Sequence, residues 1–183
     1  MKRRWSLCLI LGVPGLLLPF WDTSRQPQTA SHCARSEFRL FAPLVGKWDV
    51  EWTNRVAPGK YAETKATSNI ERDPIGCMLT EHFFGEVNGQ PFTTVVLLNF
   101  GNAEKLERIL IDSGHGQFLS FEGTRVDNAI RCEWLRDLGT RRLMVSHDYR
   151  DIQADSFATE WFLSPDSGKT WEVVEQAKYR RRP

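Results

Sequence analysis

The sequence predicts a single closed antiparallel β-barrel of about ten strands behind a short N-terminal helical turn, and three observations carry this. Apolar and polar residues alternate with period two from Val45 almost to the end of the chain. The alternating runs are short and separated by residues that favour tight turns. Seven Trp and eleven Phe must find shelter from water within one domain-sized chain of 183 residues.

The chain opens with Met1-Lys2-Arg3-Arg4, continues with an apolar stretch from Trp5 to Trp21, and turns polar from Asp22 to Ala34. This order is that of a secretory signal, so residues 1–31 are expected to direct export to the periplasm or the outside, with a cut before His32 or after Ala34. The stretch is shorter than the ~20 residues a bilayer needs and holds Pro14 and Gly15, which disfavours a transmembrane anchor. A membrane is therefore a partner only through an uncleaved signal.

Ser36 before Glu37-Phe38-Arg39-Leu40-Phe41 reads as a capped turn of helix stopped by Pro43. The period then changes: Trp48, Val50 and Trp52 share one face, and Lys47, Asp49, Glu51 and Thr53 the other. Further strands are expected at Ala62–Glu71, Met78–Val87, Phe92–Phe100, Leu106–Asp112 and Phe118–Val126. The last four are expected at Ala129–Arg136, Arg142–Arg150, Ser156–Ser164 and Trp171–Arg180. Asn88-Gly89, Asp127-Asn128 and Leu138-Gly139 fall between runs, as hairpin turns would. Short turns make consecutive strands antiparallel neighbours. Closing the resulting meander buries its aromatic face and removes both edges at once; a two-sheet sandwich is the structural alternative.

Removing residues 1–31, which hold four basic residues and one acidic, leaves 20 basic against 22 acidic residues. Nucleic acid is not expected as a partner, because phosphate binding needs a clustered basic excess and the dense run is confined to Arg180-Arg181-Arg182. Cys33, Cys77 and Cys132 remain beyond Cys8 of the signal, enough for one disulfide, and the sequence leaves the pairing open. Without C-x-x-C, H-x-H or H-E-x-x-H spacing no metal site is expected, and no cofactor is indicated.

Gly46-Lys47-Trp48, placed after the helical turn and at the start of the first strand, resembles the G-x-W opening of calycins. That resemblance implies a Trp48 that closes one barrel end and a basic side chain from the last strand, Lys178 or Arg180, lying across it. Most of the chain is similar to a bacterial lipocalin-like family of unknown function with secreted members. The likeness rests on Phe41-Ala42-Pro43-Leu44-Val45-Gly46-Lys47-Trp48, Gly89-Gln90-Pro91-Phe92, Leu98-Asn99-Phe100-Gly101 and Ile111-Asp112-Ser113-Gly114. Two places depart from the family: Phe100-Gly101 stands where an aromatic followed by Asp is usual, and Ile109-Leu110-Ile111 where Trp is usual. The turn and strand order is unchanged, so the resemblance implies the fold more firmly than any binding site.

Ser164-Pro165-Asp166-Ser167-Gly168-Lys169-Thr170-Trp171 matches the Asp-box pattern S-x-D-x-G-x-T-W. A sialidase propeller would need many copies and a longer chain, so this one marks a hairpin. In it Asp166 caps backbone amides, Gly168 supplies positive φ and Trp171 anchors the next strand.

Alternation assigns Phe121, Trp134, His147, Tyr149 and Trp161 to the interior, as candidate lining of a ligand site. The direction of His82 is left open, and His115, between two glycines, reads as a turn residue. Asp49, Glu51, Glu122, Glu133 and Glu160 read as outward. The leading functional expectation is a lumen that holds a small apolar or amphipathic ligand. The enzyme alternative is proton transfer or isomerisation by His147 with Tyr149, although no catalytic residues can be assigned. A filled barrel acting as an envelope interaction domain is the third.

Overall fold

In a computed structural model of the chain, the described residues are 41–74, 78–100, 105–114, 116, 118–126, 129–137 and 142–183. Ten strands follow a 3-10 turn at Ala42–Leu44: β1 (Gly46–Ala57), β2 (Lys60–Arg72), β3 (Met78–Val87), β4 (Gln90–Phe100), β5 (Leu106–Asp112), β6 (Phe118–Val126), β7 (Ala129–Asp137), β8 (Arg142–Arg150), β9 (Ser156–Ser164) and β10 (Glu172–Arg181). Each pairs antiparallel with its chain neighbours, and β1 pairs with β10. The sheet is thus an up-and-down barrel with no free edge. The signal-like stretch, Cys33, Cys77 and His115, and the expected turns at Asp127-Asn128 and Leu138-Gly139, lie outside the described residues. So does the expected helical turn up to Leu40; Pro43 sits inside the short 3-10 turn that follows rather than ending a helix.

The period-two pattern settles which side chains enter. Trp48, Val50 and Trp52 of β1 are buried, as are Leu79 and Phe83 of β3 and Leu106 and Leu110 of β5. Facing partners agree: Trp48 lies opposite Arg181, Val50 opposite Tyr179 and Trp52 opposite Ala177, so all of these point to the axis. Where the barrel is narrow the inner side chain disappears. A Cβ on Gly123 would lie 2.7 Å from a Leu106 methyl carbon and 3.1 Å from Cys132 Sγ. Cys132 is a free, buried thiol, and burial pushes it up to about 12, so it behaves as a small apolar filler.

One end of the barrel is sealed. The Trp48 indole, wholly buried, donates from Nε1 to the Leu44 carbonyl at 2.9 Å and meets Phe157 edge-on at 4.9 Å. Phe157 stacks on Tyr179 at 4.0 Å, and Phe41 and Leu44 complete the plug. The basic group across Trp48 is Arg181, with its guanidinium carbon 4.2 Å from the ring centroid. Arg181 also donates to the carbonyls of Val45 at 2.8 Å and Pro43 at 2.6 Å. Arg180 and Lys178, the expected candidates, are exposed on the outer wall, and Arg180 only approaches Glu51 at 3.8 Å. The reason is parity: Tyr179 points inward, so its second neighbour Arg181 does too. Gly46 belongs to the same device. Its φ of +149° suits glycine, and a Cβ there would collide with the Arg181 guanidinium.

In the Ser164–Trp171 connection, Asp166 accepts hydrogen bonds from Thr170 N at 2.9 Å and Thr170 Oγ1 at 2.7 Å, and Gly168 has φ +86°. These bonds hold the Asp166 carboxyl down at about 2. Trp171, expected to anchor the next strand, is instead 38% exposed and lies just before β10.

Replacing Arg181 by Met is expected to cost about 1–3 kcal/mol, since it takes a donor from the carbonyls of Val45, Pro43 and Ala154 and removes a ring contact. Arg180→Met should change stability by less than about 0.5 kcal/mol. Urea unfolding of the two variants beside the wild type tests the difference, and equal losses would contradict this assignment.

Candidate functional site

Because strands alternate in direction, the ends opposite Trp48 gather the far ends of β1, β3, β5, β7 and β9 and the starts of their partners. The inner residues there are Trp52, Phe83, Phe92, Asp112, Trp161 and Glu175, and they surround a cavity of about 210 Å3. Its floor is formed at mid-barrel by Glu81, Arg108, His147, Thr159 and Tyr179. The barrel is therefore packed at one end and hollow at the other.

Arg108 is the centre of the floor. It enters the lumen by alternation with Leu106 and Leu110 on β5, and is 1% exposed. Its guanidinium lies between the Phe121 and Trp161 rings, 4.9 Å and 5.0 Å from their centroids. Nε donates to the Tyr149 hydroxyl at 3.3 Å, while Nη1 has no hydrogen-bond partner among the described residues. A buried cation of this kind is tolerable only with aromatic faces and acidic groups around it.

Three carboxyl residues line the same cavity. Glu81 alternates with Leu79 and Phe83 and is buried; its Oε1 accepts from Ser68 Oγ at 2.8 Å and from the Tyr179 hydroxyl at 3.2 Å. Desolvation raises its carboxyl above the usual range, outweighing these bonds and the field of Arg108. Asp112 accepts from Gly114 N at 2.8 Å and pairs across the sheet with Thr94. Glu175 shares the inward phase of Ala177 and Tyr179, which sets it opposite inward-facing Trp161, and β10 slips register only beyond it, between Val173 and Glu175. It keeps some exposure because it borders the cavity, but the surrounding protein desolvates its carboxyl and raises it to about 7. The Trp52 indole and Arg108 oppose that rise, and Glu81 and Asp112 add to it.

The candidates assigned from alternation separate into two groups. His147 and Trp161 border the cavity and stack on each other at 4.6 Å. Phe121 and Tyr149 are fully buried behind Arg108, and Trp134 packs partly buried against the core. His147 is 4% exposed, and neither ring nitrogen has a partner among the described residues. Desolvation and then Arg108 drive its pKa well below the usual value, so the ring is neutral near pH 7. Burial raises the Tyr149 hydroxyl, against the pull of Arg108. His147 and Tyr149 touch at 4.8 Å between centroids, but one is a weak base and the other a weak acid. As a pair they are poorly matched for proton transfer near neutral pH. His82, whose direction the pattern left open, is exposed on the outer wall.

Outside the barrel, Ser146 and Asp148 are buried although β8 turns them away from the lumen. Arg131 and Arg150 cover Asp148, with contacts at 3.0 Å and 3.2 Å. Burial alone would raise its carboxyl; the hydrogen bonds from Arg131, Ser146 and Arg150 win and lower it. This cluster ties β7 to β8 and stands apart from the cavity.

A closed ten-stranded meander, plugged at one end and hollow at the other, defines a lipocalin-like barrel. Residues 34–181 match the model of DUF1579, described as a protein of unknown function, and the chain belongs to that family. Among solved structures the chain is similar to Rv2717c from M. tuberculosis, with TM-score 0.58 and 13% identity over 81% of this chain and 99% of that one. It is also similar to the S-type phycobiliprotein lyase CPES from Guillardia theta, with TM-score 0.55 and 14% identity over 82% of this chain and 95% of that one. At such identities the likeness is one of fold. No curated protein matches the chain.

The raised Glu175 carboxyl makes a prediction about stability. Between the ordinary carboxyl value of 4.5 and about 7 the folded state holds more of this proton than the unfolded state. This contribution is complete below 4.5 and lost as pH rises through about 7. Glu175→Gln should therefore flatten the fall in stability across that window, as read from urea midpoints against pH. A variant with the wild-type slope would show that Glu175 is not desolvated.

Proposed function

We propose that the protein binds a small apolar or amphipathic molecule in the open half of its barrel. The observation that carries this is a cavity of about 210 Å3 walled by Trp52, Phe83, Phe92 and Trp161 above a floor of buried, incompletely paired polar groups. Aromatic walls gain from covering an apolar body, and a few fixed polar atoms give it orientation. The size is informative. A dry cavity of about 150 Å3 suffices for benzene, and drug-sized sites run from about 300 Å3 upward, so a one- or two-ring molecule suits this lumen.

Export belongs to the same proposal, supported by the basic, apolar and polar order of residues 1–31. An exported carrier of a small molecule needs no cofactor and no nucleic acid.

The test is saturable change in tryptophan fluorescence of the purified protein with single-ring and indole-sized compounds, since Trp52 and Trp161 line the cavity. Leu119→Trp, which places a larger ring in the lining, should weaken binding at least about tenfold while leaving the cooperative thermal transition in place. A flat response to every compound would refute the proposal.

A further inference from the structure

We propose that the ligand is an uncharged ring compound bearing a hydrogen-bond-accepting oxygen, a carbonyl or a hydroxyl, seated with that oxygen at the floor among the unpartnered nitrogens of Arg108 and His147. This deepens the lumenal binding reading and rests on it. Both side chains are more than nine-tenths buried and both border the cavity. They lie against Trp161 and Tyr149, so together they frame its inner end. Three of the five buried side-chain polar atoms without a hydrogen bond among the described residues belong to them: Arg108 Nη1, His147 Nδ1 and His147 Nε2. Buried polar atoms are rarely left so, because each forfeits its bond to water without replacement.

The chemistry of these nitrogens selects the group that completes them. Arg108 Nη1 can only donate, and a neutral imidazole offers one N–H and one bare nitrogen. The missing group is therefore an acceptor first, which a carbonyl or hydroxyl oxygen supplies. Above the floor the wall is apolar, with Trp52 stacked on Phe92 at 5.3 Å and Leu110 and Leu119 also in the lining. A ring body fits such a wall.

The charges in the lumen set the charge of the ligand. Arg108 acts on Glu81 and Glu175, whose carboxyls desolvation holds toward the neutral form. Asp112 has partners of its own, Gly114 N among them. Burial leaves His147 and Tyr179 uncharged near pH 7. No unbalanced charge is left to call for a counter-ion. A cation at the floor would sit beside Arg108, and an anion would share Arg108 with Glu81 and Glu175. An uncharged oxygen is cheaper to desolvate than either and gains a charge-assisted bond from the guanidinium.

Five probes with one phenyl body test this: acetophenone, 1-phenylethanol, ethylbenzene, phenylacetate and 2-phenylethylammonium, titrated into the full-length protein by calorimetry at about pH 7. The ketone and the alcohol should bind about tenfold or more tighter than ethylbenzene, which lacks the oxygen, and tighter than either ion. Isotope-edited infrared spectra of carbonyl-labelled acetophenone should show its stretch lowered on binding, relative to a hydrocarbon solvent. Arg108→Met should erase the advantage of the ketone over ethylbenzene. His147→Phe keeps a ring against Trp161 and should cut ketone binding about threefold or more, with a thermal midpoint unchanged or raised. The infrared shift and the ratio in the wild type keep the test open if Arg108→Met does not fold. Equal binding of ketone, alcohol and ethylbenzene would mean that water alone serves these nitrogens. That result, tighter binding of either ion, an unshifted carbonyl, or a ketone advantage that survives Arg108→Met overturns the oxygen seat and leaves lumenal binding intact. Failure of every probe to bind overturns both readings.

Discussion

The pairing of β1 with β10 is the constraint on which the rest depends. Each strand carries an apolar inner face, and no second layer exists among the described residues to cover it. Joining Trp48 through Asn54 to Arg181 through Glu175 closes the sheet on itself, so every inner face is covered by the opposite wall. The same contact satisfies the two strand edges that an open meander would expose. It also brings the last inward side chain, Arg181, over Trp48, which lets one end be sealed.

Sealing one end sets up the asymmetry of the lumen. Large rings fill the Trp48 end, and among the described residues no comparable plug closes the other. Polar groups gather at the boundary between the two halves, where Arg108, Glu81, Tyr149 and Tyr179 meet. Charges there are expensive to bury, and the arrangement limits the cost by sandwiching Arg108 between rings and by hydrogen-bonding Glu81 twice. Even so, Arg108 Nη1 and both His147 ring nitrogens stay without partners among the described residues at this floor, and those are the atoms that a lumenal ligand would complete.

Much of the architecture was legible before any coordinates. Five strands carry the limits expected of them at both ends: Met78–Val87, Leu106–Asp112, Phe118–Val126, Arg142–Arg150 and Ser156–Ser164 all match their runs. Asn88-Gly89 does form a turn with positive φ at both residues. The site was less legible. Aromatic and histidine positions alone do not point to Arg108, Glu81 and Glu175, although the alternation carries a signal for them. Each is a charged residue on the apolar phase of its strand, between Leu106 and Leu110, between Leu79 and Phe83, and in phase with Ala177 and Tyr179. The choice of Arg180 over Arg181 failed for the same reason, by neglecting the phase that Tyr179 sets.

By itself the sequence determined the strand order, the inward phase of each strand and the need for closure, because a period of two and short turns act locally and leave few alternatives. Only the tertiary structure decided which half of the barrel is filled, which basic residue lies on Trp48 and how the lumenal charges are compensated. Those outcomes depend on distances between strands far apart in the chain. No local pattern encodes them, since burial and electrostatic compensation exist only once opposite walls face each other.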